Sequence, residues 1–261
     1  MIQVRITDLN LFIAFWLVFV RWQTIIMMFP MFDGDFVPMP AKILSALLIS
    51  YSFFPSVAPF VQHDLMKYGV DSFWYLTIIN ILIGLIIGFL VKSIMEIFVS
   101  AGAMITQQMG FTSLRYFDPS STETVGLFEQ IIKWSMLMII ISSGALIPMF
   151  KGVQGTFSNI SLTNIDRFLS SPEFYLSFFK SAFLSALSLS APLIYTNMLL
   201  TAVLGILART VPQLNVLMVS FIVNIGVGMM VFLATSDEFF IVANDVYNKH
   251  LADWFLFVTT R

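Results

Sequence analysis

The sequence contains no cysteine. That absence removes a disulfide framework, a thiolate nucleophile and any cysteine-ligated metal centre at once. Histidine is nearly as scarce: His63 and His250 stand apart, with no carboxylate or second histidine at metal-ligand spacing. Charge is sparse too. Only 11% of residues are Asp, Glu, Lys or Arg, against about a quarter in soluble globular chains. The net charge of −2 makes no electrostatic case for nucleic acid or an anionic surface. No Gly-rich phosphate cradle follows a strand, and no G-x-S-x-G elbow is present. The charges that fall within apolar runs do not assemble a nucleophile with a base. An enzyme is not expected, and no cofactor or metal is implied.

What is abundant is apolar surface. Hydrophobic residues make up 58% of the chain and the mean hydropathy is +0.90. Apolar runs of about 20 residues, the length that crosses a hydrocarbon core of roughly 30 Å, recur throughout. Six are counted: Leu9–Phe29, Ala41–Val61, Phe73–Ala101, Val125–Phe150, Phe174–Ala208 and Val211–Ala234. Backbone amides at membrane depth must be satisfied within their own segment, so the fold class is all-α and membrane-type. Pro55, Pro59, Pro148 and Pro192 interrupt the runs and predict broken helices. No Pro/Gly/Ser-rich or charged linker divides the chain, so one unit over 1–261 is expected, a hairpin core over 1–235 with a tail over 236–261. The first run is longer than a signal-peptide core and no small-x-small cleavage pattern closes it, so it reads as retained. Lys and Arg are spread evenly among the connections and set no orientation.

Charges inside the runs need partners or a wet environment, because one at the bilayer centre costs about 2.5–3.5 kcal/mol on insertion scales. They are Arg21, Lys92, Glu96, Glu129, Lys133 and Lys180. Lys92 with Glu96 and Glu129 with Lys133 are each four apart, hence on one helix face, and flank the mid-chain tip at similar distances. Pairing across a hairpin and two separate intrahelical pairs both fit. Gly84-x-x-x-Gly88 has the spacing that lets helix backbones approach closely. Gly226 and Gly228, with Asn224, predict a second packing face, Asn224 hydrogen-bonding across helices. Residues Lys151–Glu173, rich in Ser, Thr and Asn, read as an exposed excursion. In the tail, Phe239, Ala243, Val246/Tyr247, Leu251, Trp254 and Val258 repeat at helical spacing, and Thr235 with Glu238 fits a capping box.

Two stretches are distinctive. Gly102–Gly126 joins two long apolar segments. It is polar through Gln107, Gln108, Arg115, Asp118 and Glu123, yet apolar through Met109, Phe111, Leu114, Tyr116 and Phe117, with turns at Gly110 and Asp118-Pro119. A loop folded on its own helices and a loop filling a cavity or meeting another chain are the two readings, and so many large apolar side chains favour the second. The other stretch is Ala208–Asn215, where Arg209, Pro212, Gln213 and Asn215 concentrate polar groups between two apolar helices. Pro212 fits the first turn of the following helix, and Arg209 can cap the preceding one while reaching a partner carboxylate.

Three stretches together resemble the FliR/SctT family of flagellar and virulence type III export-gate subunits. They are Arg21…Pro30…Val37-Pro38…Lys42; Gly84…Gly88-Phe89 with Gln108-Met109-Gly110 and Phe117-Asp118-Pro119; and Ala191-Pro192 with Arg209-x-x-Pro212-Gln213-Leu214-Asn215. They cover most of residues 20–235 in the family's order, and the intact P-Q-L-N looks more flagellar than virulence-type. The resemblance implies kinked helical hairpins in a hetero-oligomeric assembly with FliP and FliQ, beside FlhB and FlhA, in the bacterial inner membrane. It also implies passive transit of unfolded protein. The loop at about Gln107–Thr124 corresponds to the family's lumen plug, with Gln108, Met109, Gly110, Phe111, Leu114, Phe117, Asp118 and Pro119 as its closing residues. Arg209, Pro212, Gln213 and Asn215 would contact neighbouring subunits, and Lys92, Glu96, Glu129 and Lys133 would be buried in the assembly. A small-molecule or ion transporter, which predicts repeat symmetry, and a purely structural subunit are the competing readings.

Overall fold

The computed structural model describes residues 6–32, 37–111, 126–160, 171–211, 213 and 215–259, and its regular structure there is entirely helical. The helices are α1 (Ile6–Met28), α2 (Met39–Tyr68), α3 (Phe73–Gln108), α4 (Leu127–Ser142), α5 (Leu146–Asn159), α6 (Pro172–Thr210) and α7 (Val216–Thr259). Five of them, α1, α2, α3, α6 and α7, are individually long and apolar enough to cross a membrane. The all-α membrane class follows directly from the apolar runs. Helices α3, α6 and α7, at 36, 39 and 44 residues, extend roughly 54, 58 and 66 Å at about 1.5 Å per residue, well past a core of roughly 30 Å.

Four sequence expectations are corrected. The run Val125–Phe150 is not one segment: α4 stops at Ser142, Gly144 takes φ 72°, and a separate helix, α5, starts at Leu146. Glycine reaches that torsion without a Cβ clash, and Pro148 in the first turn of α5 has no intrahelical amide bond to lose. The prolines inside α2 and α6, by contrast, do not end their helices; one missing amide costs less than opening a backbone that hydrocarbon cannot satisfy. The excursion expected over Lys151–Glu173 is helical through Asn159, since Met149, Gly152, Val153, Thr156 and Phe157 bury one face; residues 161–170 lie outside the described set. Finally, no cap forms at Thr235. Its hydroxyl donates to the Val231 carbonyl at 2.8 Å inside an unbroken α7. Of the tail stripe, Phe239, Ala243, Tyr247, Leu251, Trp254 and Val258 are buried and Val246 is half-buried.

The chain forms two compact units, each assembled from separated stretches. The first takes Met1–Ser93, Gly144–Leu176 and His250–Arg261. At its centre Arg21, 4% exposed, donates from Nε to Asn80 Oδ1 at 2.9 Å and from Nη1 to the Thr156 carbonyl at 3.2 Å and hydroxyl at 3.4 Å. Its guanidinium lies 4.2 Å from the Phe157 ring centroid. One side chain thus joins α1, α3 and α5. The Gly84-x-x-x-Gly88 spacing acts here as read: a Cβ on Gly84 would collide with Thr24 Oγ1 and stand 2.9 Å from the Arg21 carbonyl, and one on Gly88 would meet Met28 Cβ at 3.1 Å. Trp22 stacks on Phe53 of α2 at 5.4 Å and leans on Phe150 of α5 at 5.9 Å. The last turns of α7 join the same unit, Trp254 occupying the space that a side chain at Gly152 would need. Asn159 Nδ2 donates to the Val258 and Thr259 carbonyls at 3.4 and 3.5 Å, and Phe174 stacks on Phe257 at 3.7 Å.

The second unit takes Ile94–Ser143 and Ser177–Lys249, that is, the latter part of α3, all of α4 and most of α6 and α7. Within it, α3 and α4 cross almost in backbone contact, a Cβ on Gly102 falling 2.8 Å from Glu129 Cα.

Replacing Arg21 with Met keeps bulk but removes the donors for Asn80 and Thr156. The expected loss is about 1–3 kcal/mol, the cost of leaving buried polar groups unpaired, read as a lower melting temperature in detergent. Adding Asn80→Leu should recover part of it; an unchanged melting temperature in the single variant would remove Arg21 from its central role.

Candidate functional site

The second unit converges on the end of α3, where the distinctive mid-chain stretch begins. The helix closes in a Schellman turn: Gly110 N–H donates to the Gln107 carbonyl at 3.1 Å and Phe111 N–H to the Thr106 carbonyl at 3.2 Å, with Gly110 at φ 80°. The turn read at Gly110 is therefore a helix stop with its orphan carbonyls satisfied.

Each residue of this stop meets another element. Gln108 Oε1 accepts a hydrogen bond from Asn197 Nδ2 of α6. Met109 is 1% exposed and its side chain sits on Gly228 of α7. Gly110 faces Phe221 of α7. The Phe111 ring lies 5.5 Å from Phe128 in the first turn of α4, and Phe128 meets Phe232 of α7 edge-on at 5.1 Å. Phe111 and Phe128 stand at the two ends of the 112–125 connection, so their contact ties those ends together. One turn earlier, Ser190 Oγ of α6 approaches Met104 Sδ at 3.3 Å.

Of the eight closing residues expected at the tip, Gln108, Met109, Gly110 and Phe111 are brought together here, whereas Leu114, Phe117, Asp118 and Pro119 lie outside the described residues. At the second polar stretch, Arg209 ends α6 in its last turn, and Arg209, Gln213 and Asn215 are all exposed. Asn215 caps α7: its Oδ1 accepts from the Met218 amide at 3.4 Å and its carbonyl from the Val219 amide at 3.2 Å. Pro212 is outside the described residues. Of the four charges expected to be buried, Lys92, Glu129 and Lys133 are half-buried in this single chain and Glu96 is exposed. Glu96 shares its helix face with exposed Phe89, Ser100 and Gln107, which turns it outward.

Asn197, Phe128, Phe232 and Phe221 were not singled out from sequence, although an amide within the apolar run of α6 is itself a signal. Gly228 packs as expected; Gly226 is exposed with no atom near an added Cβ. Asn224 makes no interhelical bond among the described residues, where its buried Oδ1 has no partner. Among the described residues no group of three or more His, Asp or Glu side chains could hold a metal ion.

The sequence compares with known proteins over nearly its whole length. A family described as bacterial export proteins, family 1, matches residues 12–250. The chain is 27% identical to the flagellar biosynthetic protein FliR of Bacillus subtilis (strain 168) over 245 residues, 92% of each chain. It is 23% identical to the FliR of Aquifex aeolicus (strain VF5) over 231 residues, 88% of this chain and 87% of that one. The FliR of Escherichia coli (strain K12) is 27% identical over 208 residues, 78% and 77% of the two chains.

Gly110→Ala is expected to cost about 1–2 kcal/mol by forcing a Cβ into the left-handed region. Gly102→Val should cost more, because the obstacle is the α4 backbone. Gly226→Ala is the neutral control, and thermal unfolding of the three variants checks the order.

Proposed function

Given that the chain belongs to the bacterial export proteins, family 1, we propose that it is a subunit of the flagellar type III protein export gate in the bacterial inner membrane, at the flagellar basal body. The observation that carries the reading is the match over residues 12–250 combined with the state of α6 and α7. These helices are long and apolar enough to cross a membrane, yet only 11% of the most apolar stretch of each is buried inside the chain. Exposed Tyr195, Met198, Leu199, Leu217, Ile222 and Met230 line them. Such faces are stable against lipid or against other apolar helices, and helices of about 58 and 66 Å are too long to be covered by one bilayer alone. Sibling subunits of the FliP and FliQ type, with FlhB and FlhA alongside, would cover the remainder, and lipid the rest.

The role is passive. Unfolded flagellar subunits thread a central conduit, driven by other components, and the loop over 107–124 acts as its resting plug. Met109 and Phe111, held at the end of α3, set where the plug begins; Leu114 and Phe117 supply apolar bulk, and Asp118-Pro119 its turn. Exposed Arg209 and Gln213 meet neighbouring subunits, where a guanidinium and an amide can pair with groups of another chain. The flagellar assignment is favoured over a virulence-type gate by the FliR relatives and by the intact Pro212-Gln213-Leu214-Asn215.

Because Gln108–Phe111 are part of the packed unit, a test of the plug should spare them. Deleting Thr112–Ser120 is expected to leave assembly intact while raising ion leakage through the gate; unchanged conductance would reject the plug. Arg209→Glu and Gln213→Ala should lower co-purification with the partner subunits more than they lower the chain's own thermal stability, and normal co-purification would reject that contact.

A further inference from the structure

We propose that the groove between α2 and α5 binds a phospholipid with an anionic headgroup, an acyl chain lying in the groove and the headgroup phosphate at Lys151. The proposal concerns the first unit alone and stands whether or not the plug reading does. The groove encloses about 500 Å³. Its floor is aromatic and already held in place: Phe53 stacks on Trp22 at 5.4 Å, and Phe150 packs on Trp22 at 5.9 Å and on Phe29 at 5.6 Å. Rings fixed on a buried indole do not swing into the space, so the groove is preformed. Exposed Leu48 of α2 and Ile147 of α5 wall it. Helix α5 turns Met149, Gly152 and Val153 inward, which leaves Ile147, Lys151 and Gln154 on the groove side.

Size and charge decide the occupant. Two turns of a helix about 10 Å across displace on the order of 800 Å³, more than the groove holds. Its volume falls instead within the range of about 300–1,000 Å³ found for small-ligand sites. A flexible acyl chain fits where a helix does not. Helix α2 can cross a membrane, and only 22% of its most apolar stretch is buried inside the chain, which leaves its outer face to hydrocarbon. Along α5 the lining passes from apolar Ile147 through Lys151 to Gln154, a length of roughly 10 Å at about 1.5 Å per residue. No carboxylate lines the groove, and among the described residues Lys151 makes no ion pair. An exposed ammonium on a flexible stem beside a hydrocarbon-lined groove is complementary to a lipid phosphate. The Gln154 amide and the Ser52 hydroxyl add donors for phosphate and ester oxygens.

Native mass spectrometry tests the site on the full-length chain, purified with whatever subunits accompany it and offered dioleoyl phosphatidylglycerol or dioleoyl phosphatidylcholine. The chain should retain phosphatidylglycerol in preference. Lys151→Gln should lower that retention about fivefold, the factor given by about 1 kcal/mol of headgroup attraction, and leave phosphatidylcholine unchanged. Lys151→Arg should keep the preference. Ser52→Trp, at an exposed position, should fill the groove and lower retention of both lipids. Equal retention of the two lipids by the unaltered chain, or a preference that survives Lys151→Gln, would overturn the anionic headgroup. Undiminished retention by Ser52→Trp would overturn the groove as its seat. Displacement of the lipid by inorganic phosphate would overturn the lipid in favour of a free anion at Lys151. A photoreactive benzophenone side chain placed at Ile147 should label lipid when the protein is in phosphatidylglycerol vesicles; labelling of a neighbouring subunit in its place would overturn the proposal and make the groove a subunit contact. Where Ser52→Trp does not fold, Lys151→Gln and the label at Ile147 decide.

Discussion

A guanidinium held in a nearly closed apolar setting is the constraint on which the first unit depends. Arg21 cannot be left there unsatisfied, so Asn80 from α3 and Thr156 from α5 must come to it, and the Phe157 ring must lie beneath it. Around that requirement the other contacts become possible. Small residues at positions 84 and 88 bring α3 against α1, and α5 presents the buried Thr156 and Phe157. Aromatic stacking on Trp22 then fills the space between α2 and α5. A polar group inside an apolar unit specifies one arrangement because every alternative leaves donors without acceptors.

The second unit is organised by different physics. Among its described residues no charged side chain is fully buried; methionine, glycine and phenylalanine interlock near the end of α3, and one amide pair fixes the register. Outward, α6 and α7 carry more apolar surface than the chain itself can bury. A solitary soluble protein could not leave that area in water. Its presence is a statement about surroundings, and it joins the fold to the proposed role within a larger assembly.

Much of this was legible in the sequence. Apolar run length gave the five long helices, the Gly84/Gly88 spacing gave the closest contact of α1 with α3, and the tail stripe from Phe239 to Val258 marked the buried face of α7. The errors have physical causes. Polar residues over 151–159 masked a helix because Thr156 is consumed internally by Arg21 and Gly152 by Trp254, neither of which composition reveals. Hydropathy falls after Ala234, yet α7 runs unbroken through that change because one face stays apolar. Asn197 escaped notice because its significance lies in Gln108, 89 positions away, a distance that local pattern cannot bridge.

The helix stop at Gly110 has a consequence for assembly. All its closing bonds fall between residues 105 and 111, so its shape is acquired by short-range closure, on the submicrosecond scale of helix formation. The entropy of ordering that segment is thereby spent before any neighbour docks, and a preorganised surface binds with that cost already removed. In the proposed assembly, an incoming subunit would meet a finished edge in place of chain that has still to be folded.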